Sequence, residues 1–142
     1  MATTRTSPEL AELLADLPSG LVFQPNLVAN DWREVADELT EAFRLTKAAF
    51  QRGEDVVYVV DHDDLLGRRG SGSAMVAAGL LSGARTAALE GSRSGLTVNV
   101  IAAGSGAEPE VVARWVRLLL QPGGPTGELI RLGADHLGRA LP

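Results

Sequence analysis

Val56-Val57-Tyr58-Val59-Val60 constrains this chain more than any other stretch. It is β-branched and aromatic throughout, with no polar residue in alternation. A strand with one wet face alternates apolar and polar residues, whereas a strand covered on both faces does not. The second pattern belongs to parallel sheets sandwiched between helices. Residues 96–102, Leu-Thr-Val-Asn-Val-Ile-Ala, form another strand candidate. Between the two lies a long small-residue segment, residues 73–92, that reads as a helix. Parallel neighbours need a crossover of a dozen or more residues, and a helix of this length supplies one.

The same grammar extends in both directions. Ser7-Pro8-Glu9 is a helix start, with a capping hydroxyl, a proline at the first helical position and an acid in the first turn. Leu10, Leu13, Leu14 and Leu17 follow at helical spacing, and Pro18-Ser19-Gly20 ends that helix. Leu21-Val22-Phe23 is a short buried-strand candidate. Asn30 or Asp31 caps a longer helix whose apolar positions are Trp32, Val35, Leu39, Ala42, Phe43, Thr46, Ala49 and Phe50, with Gly53 at its end. Residues 61–72 are polar and glycine-rich and read as a loop at a strand's carboxyl end. Glu108-Pro109-Glu110 opens another helix, through Trp115 to Leu120, and Leu129-Ile130-Arg131-Leu132 reads as a last strand. The expectation is an α/β fold with a short parallel sheet flanked by helices, in a single α/β domain over residues 1–142.

Composition excludes several functions. With 13 Lys and Arg against 18 Asp and Glu, and no basic cluster, phosphate neutralisation is poorly served, so no nucleic-acid partner is expected. There is no cysteine, which removes thiol catalysis and Cys-based zinc sites and fits a reducing, cytoplasmic setting. No apolar run reaches the roughly 20 residues of a membrane helix, and the first residues carry no apolar signal core.

Five stretches, taken in order, resemble the C-terminal half of the short-chain dehydrogenase/reductase family over about residues 21–133. Trp32-Arg33-Glu34-Val35, with Phe43 and Thr46-Lys47-Ala48, is similar to the helix of that family that begins at a Trp and lines the subunit interface. Val56 to Val60 resembles the strand that ends in its catalytic Ser. Arg85-Thr86-Ala87-Ala88-Leu89-Glu90 looks like its R-x-x-A-x-E stretch. Leu96 to Gly104 looks like I-x-V-N-x-V-x-P-G. Pro125-Thr126-Gly127-Glu128-Leu129-Ile130 looks like x-T-G-Q-x-I. The resemblance implies a partial Rossmann-like fold lacking the N-terminal dinucleotide-binding half. No G-x-x-x-G-x-G follows a strand here; Gly67-Arg68-Arg69-Gly70-Ser71-Gly72 has different spacing and reads as a flexible loop.

The resemblance also locates what has changed. Anchored on Arg85, the family's catalytic Tyr falls at Ser73 and its Lys at Ala77; its Ser falls near Asp61 and its helix Asn near Glu38 or Leu39. A Tyr with a lowered pKa donates the proton in carbonyl reduction, a task a serine hydroxyl without a cation cannot perform. The expectation is therefore a pseudoenzyme with no cofactor, no metal and no assigned catalytic residue.

Weaker candidates remain. Asp61-His62-Asp63-Asp64 stands where open α/β sheets place their sites, and oxygen and imidazole ligands suit a divalent metal, yet adjacent residues seldom converge on one ion. Ser71 and Ser73 near His62 and Asp61 hint at a nucleophile without the supporting elbow. Asn99 reads as a structural hydrogen-bonding residue, Tyr58 as core, Arg68-Arg69 as solvated, and Trp32 and Trp115 as core or interface. His136 reads as a surface residue.

What the resemblance leaves intact are interface helices. Ala74, Ala77, Ala78, Gly79, Ser82, Gly83 and Ala88 permit close helix approach, and Trp32, Val35, Leu39 and Phe43 lie on the other helix. Without the missing half, residues 21–23 would form an exposed sheet edge that invites another chain. The leading expectation is a structural or regulatory subunit, in a homo-oligomer or beside a full-length short-chain dehydrogenase. Two alternatives stay open: an enzyme or small-ligand binder with a new site in the loop of residues 61–73, and a subunit that completes a catalytic partner's pocket.

Overall fold

The computed structural model describes residues 1–26 and 31–133. Along the chain run β1 (Thr3–Arg5), α1 (Pro8–Leu13), β2 (Leu21–Phe23), α2 (Trp32–Gln51), β3 (Val56–Asp61), α3 (His62–Leu65), α4 (Ser71–Ser92), β4 (Val98–Ala103), α5 (Pro109–Leu119) and β5 (Leu129–Leu132). The strands form one five-stranded sheet in the order β1-β2-β3-β4-β5. Every neighbouring pair is parallel, with Tyr58 registered between Phe23 and Val100.

The unalternating strands are explained by two apolar layers. Leu21, Phe23, Val56, Tyr58, Val60, Val98, Val100 and Ala102 pack beneath α2 and α4. Val22, Val57, Val59 and Ile101 face the opposite way, into α1 and α5. Val56 and Val57, adjacent in sequence, are both fully buried on opposite faces. Each such valine contributes about 1.5–3 kcal/mol by leaving water, and a polar side chain is admitted only where it finds hydrogen bonds, as Asn99 does beside Val57.

The helix starts follow their capping chemistry. Ser7 Oγ accepts from the Leu10 N–H, and Pro8 opens α1. Asp31 accepts from the Arg33 N–H at 3.0 Å and caps α2; Asn30, the alternative cap, lies outside the described residues, as does His136. Gly53, at φ +72°, lets the chain leave α2 toward β3.

The structure departs from the sequence reading at two places. First, residues 21–23 are not a sheet edge. The segment Thr3–Arg5 forms β1 and pairs along them, the Thr3 N–H donating to Gly20 O at 2.9 Å and the Gln24 N–H to Arg5 O at 2.8 Å. Thr-Thr-Arg is too short and too polar to announce a strand; the apolar neighbour it pairs with decides its conformation. Second, residues 61–72 are not all loop: Asp61 nucleates the short helix α3, and α4 begins at Ser71 rather than Ser73.

Candidate functional site

At the carboxyl ends of β2 and β3 Asp61, Asp64, Arg69 and Ser73 line one pocket, and the charged groups among them are committed to one another. Asp61 ends β3 and caps α3, its Oδ1 accepting the Asp63 N–H at 2.8 Å and the Asp64 N–H at 3.4 Å. The Arg69 guanidinium forks onto Asp64, at 2.8 and 2.9 Å, and reaches Asp61 Oδ2 at 3.3 Å. Arg68 pairs with Asp63 at 3.1 Å. The hydrogen bond to Asp64 and the surrounding carboxylates push the Arg69 pKa above its ordinary value, so it stays a cation throughout. Arg68 and Arg69, expected to be solvated, thus neutralise the acidic run that follows β3.

Behind this network is a pocket of 150 Å³ lined by Gln24, Asp61, Asp64, Arg69, Ser73 and Ala77 among others. Ser73 is half-buried there, and Ala77 is core, 2% exposed under the sheet-facing side of α4. His62 does not line the pocket. It is 1% exposed, which corrects its reading as part of a solvated loop. Among the described residues no three His, Asp or Glu side chains are placed to hold a metal ion.

A second polar assembly ties β1 to α2. Glu38, nearly buried, accepts from Arg5 Nη1 at 2.8 Å, from Arg5 Nη2, and from the Asn26 N–H at 3.1 Å. The Arg5 guanidinium also sits over the Phe23 ring, 4.9 Å from its centroid. Glu38, at the position nearest the family's helix Asn, therefore has a structural partner that the sequence could not reveal, because Arg5 lies 33 residues away. Asn99, fully buried, likewise does structural work: its Nδ2 donates to Pro125 O at 2.9 Å and its Oδ1 accepts the Glu128 N–H at 3.1 Å, tethering the loop before β5.

The outer face of α2 and α4 has the opposite character. The two helices pack side by side, and a Cβ built on Gly79 would stand 3.1 Å from Leu39 Cδ2, so any larger residue there makes the Leu39 side chain shift. Gly83 is different: a Cβ there meets nothing within 4 Å. A glycine inside a helix costs about 1 kcal/mol relative to alanine, and among the described residues no contact offsets that at Gly83.

Large apolar side chains stand in water on this face. Trp32 is 73% exposed, Phe43 70%, Met75 61% and Leu89 75%. Of the residues read from sequence as interface positions, Ala78, Ser82 and Gly83 join this face, while Val35, Leu39, Ala74 and Gly79 are half-buried at its border; Ala77 and Ala88 turn inward to the sheet. Trp32 and Phe43 thus do not share the buried stripe of α2, which runs through Glu38, Ala42, Thr46 and Ala49. Met75 and Leu89 went unnoticed in the sequence, although their outward placement at multiples of seven from Ser82 was legible there.

Between the helices runs a groove of 770 Å³. Leu39, Phe50, Leu80 and Tyr58 line its apolar depth, with Phe43 and Gly83 also on its walls. The Tyr58 hydroxyl is satisfied by Thr46 Oγ1 at 2.5 Å, and burial pushes its pKa up, so it is a neutral core group and not a proton donor in waiting.

The fold has clear relatives among solved structures. It superposes with a TM-score of 0.67 on an acetoin dehydrogenase, YohF, from Salmonella typhimurium, at 18% identity, covering 87% of this chain and 66% of that one. It superposes with a TM-score of 0.63 on a citronellol catabolism dehydrogenase, AtuB, from Pseudomonas aeruginosa PAO1, at 24% identity, covering 87% of this chain and 64% of that one. The fold is that of short-chain dehydrogenases, and the chain spans just under two thirds of the length of these two. No protein-family model and no curated protein matches the sequence. Among the described residues no helix is long and apolar enough to cross a membrane.

Proposed function

We propose that this chain is a non-catalytic, short-chain dehydrogenase-like protein, a single α/β domain that serves in the cytoplasm as a structural or regulatory subunit. It assembles through α2 and α4, with a second copy of itself or with a full-length short-chain dehydrogenase. The observation that carries this reading is the set of exposed apolar side chains on α2 and α4, Trp32, Phe43, Met75 and Leu89, with Phe43 also on the wall of the apolar groove between the two helices. Scattered apolar residues on a surface need no explanation, but four large ones on two adjacent helices mark a binding surface.

The cleft supports the same reading. A hydride-transfer site needs a proton donor with a lowered pKa and groups free to hold a carbonyl. By the sequence resemblance Ser73 and Ala77 take the positions of Tyr and Lys, and Arg69, a cation lining the same pocket as Ser73, is held by Asp61 and Asp64. Titration with NADH and NADPH, followed by fluorescence, tests this directly alongside light scattering of the pure chain. No saturable nicotinamide binding and a mass above that of a 14.9 kDa monomer are expected. Tight nicotinamide binding or carbonyl reductase turnover by the pure protein would overturn it.

A further inference from the structure

The helices α2 and α4 come close at two places and part between them. A Cβ built on Gly79 would stand 3.1 Å from Leu39 Cδ2, and one built on Gly91 would stand 3.0 Å from Phe50 Cζ. From Leu39 to Phe50 the helix runs about 16 Å, at about 1.5 Å per residue. Between these contacts small residues line the gap, Ala42 and Thr46 from α2, Gly83 and Ala87 from α4. The groove of 770 Å³ is therefore a trough narrowed at both ends, and its volume lies within the roughly 300–1,000 Å³ of small-molecule sites.

Its floor carries one polar feature. Tyr58 and Thr46 are 4% and 7% exposed, their hydroxyl oxygens are 2.5 Å apart, and among the described residues neither has another partner. Each hydroxyl brings one O–H. Only one hydrogen can lie between the two oxygens, so one donor is left over whichever way the bond runs, and a buried donor calls for an acceptor. On the rim Lys47 and Glu90 are both exposed and of opposite sign, so the mouth favours neither an anion nor a cation. Gly83 follows Gly79 by one helical turn and faces α2 as Gly79 does, yet a Cβ there meets nothing within 4 Å. Its missing side chain keeps the trough open.

We propose that this trough binds a small, uncharged, mostly apolar molecule with a hydrogen-bond acceptor, such as an ester or a ketone, whose oxygen takes the spare O–H of the Tyr58–Thr46 pair. The apolar body lies along Leu39, Leu80 and Phe50. The site goes beyond the assembly reading and does not depend on it. It shares no lining residue with the pocket beside Asp61, so it is a different place from the cleft at the strand ends.

Methyl hexanoate and butylbenzene are of similar size, and only the ester offers a strong acceptor. Calorimetric titration of the full chain should show saturable binding of each. The double variant Tyr58→Phe, Thr46→Val keeps the shape of the floor and removes both hydroxyls. It should bind the ester about 3–10-fold more weakly, the worth of one hydrogen bond, and butylbenzene within about twofold of wild type. The infrared carbonyl stretch of the ester should move to lower frequency on binding wild type and not on binding the double variant. Gly83→Leu fills the trough and should lose both probes while melting no lower than wild type.

An oligomeric or monomeric wild-type chain that binds neither probe would overturn the site; in the oligomer, a second copy would then be the occupant. Undiminished binding by Gly83→Leu would place the probes elsewhere and overturn it too. Equal losses of ester and butylbenzene in the double variant would overturn recognition by the hydroxyl pair. None of these results touches the assembly reading, which light scattering tests by itself.

Discussion

The cleft at the carboxyl ends of β2 and β3 and the outer face of α2 and α4 have their interactions the opposite way round. In the cleft Asp61, Asp63 and Asp64 are matched by Arg68, Arg69 and the backbone amides of α3, so its charges are already used within the chain. On the helix face Phe43, Met75 and Leu89 are more than half exposed and touch little. A charged ligand entering the cleft would have to displace ion pairs of similar strength. A partner on the helix face displaces only water, and each large side chain it covers contributes up to about 1.5–3 kcal/mol. The exposed apolar surface that the proposed assembly would cover therefore lies on the helices, away from the cleft at the strand ends.

The strongest way to break this contrast is to put a charge on the apolar face. Phe43→Asp should weaken association by about 10²–10³-fold, since a carboxylate buried without a partner costs several kcal/mol against the lost apolar contact. Its circular dichroism should be unchanged, because Phe43 is 70% exposed in the chain and supports no core. Sedimentation velocity over a concentration series measures the effect, and unchanged association would remove the helix face from the argument.

A substitution in the sheet should do the reverse. Asn99→Ala removes both hydrogen bonds that a fully buried side chain makes to the Pro125 carbonyl and the Glu128 N–H, and leaves a cavity in the sheet layer, while the two backbone groups belong to surface-exposed residues. A typical hydrogen bond contributes about 0.5–1.5 kcal/mol net, so a loss of about 1–3 kcal/mol and a Tm lower by roughly 3–10 °C are expected in thermal melts, with assembly lost only through unfolding.

These two sites also show what could be read from the chain. The parallel sheet was legible because Val56 to Val60 is apolar on both faces, a statement about each residue's own surroundings. Asn99 was legible as a structural hydrogen-bonding residue from its place on a strand and the family stretch it resembles. The strand Thr3–Arg5 was not, since its three polar residues become a strand only because Leu21–Phe23 lies beside them. Pairings such as Arg5 with Glu38 are set by the assembled fold and leave no local pattern. On the helices the sequence named Phe43, Ser82 and Gly83 but counted Ala77 among them; one residue along a helix is a rotation of 100°, enough to turn a side chain from the outer face to the core.

Acid provides a subtler separation. Glu54, nearly buried, accepts the Gly20 N–H at 2.8 Å and is paired with Arg52. Burial acts to raise its pKa, but the amide and the guanidinium outweigh it, leaving the carboxyl below its ordinary value of 4.5. A carboxyl depressed in the folded state adds stability above its unfolded pKa, and that stability is lost as pH falls through the folded value. Urea midpoints measured from pH 6 downward should fall more steeply below about 4.5 for wild type than for Glu54→Gln, the two curves converging in acid. Parallel curves would mean that Glu54 is not tied down as the structure has it.

The smallest effect is expected from Arg69→Ala, and its smallness is the point. The Arg69 side chain is 55% exposed, and its partners Asp61 and Asp64 are 41% and 17% exposed. Ion pairs this open to water contribute about 0–1 kcal/mol, so the midpoint of unfolding should move by no more than that. Removing the guanidinium also uncovers Asp61, Asp64 and Ser73 around the 150 Å³ pocket. If the network only closes an inactive cleft, the variant gains no activity, and its dimer dissociation constant stays within about twofold of wild type. A new capacity to bind cationic small molecules would not disturb that conclusion, because it follows from the freed carboxylates. Loss of a wild-type ligand would, because it would mean that Arg69 had been offering its charge outward all along, and the cleft would then share the binding role assigned here to the helices.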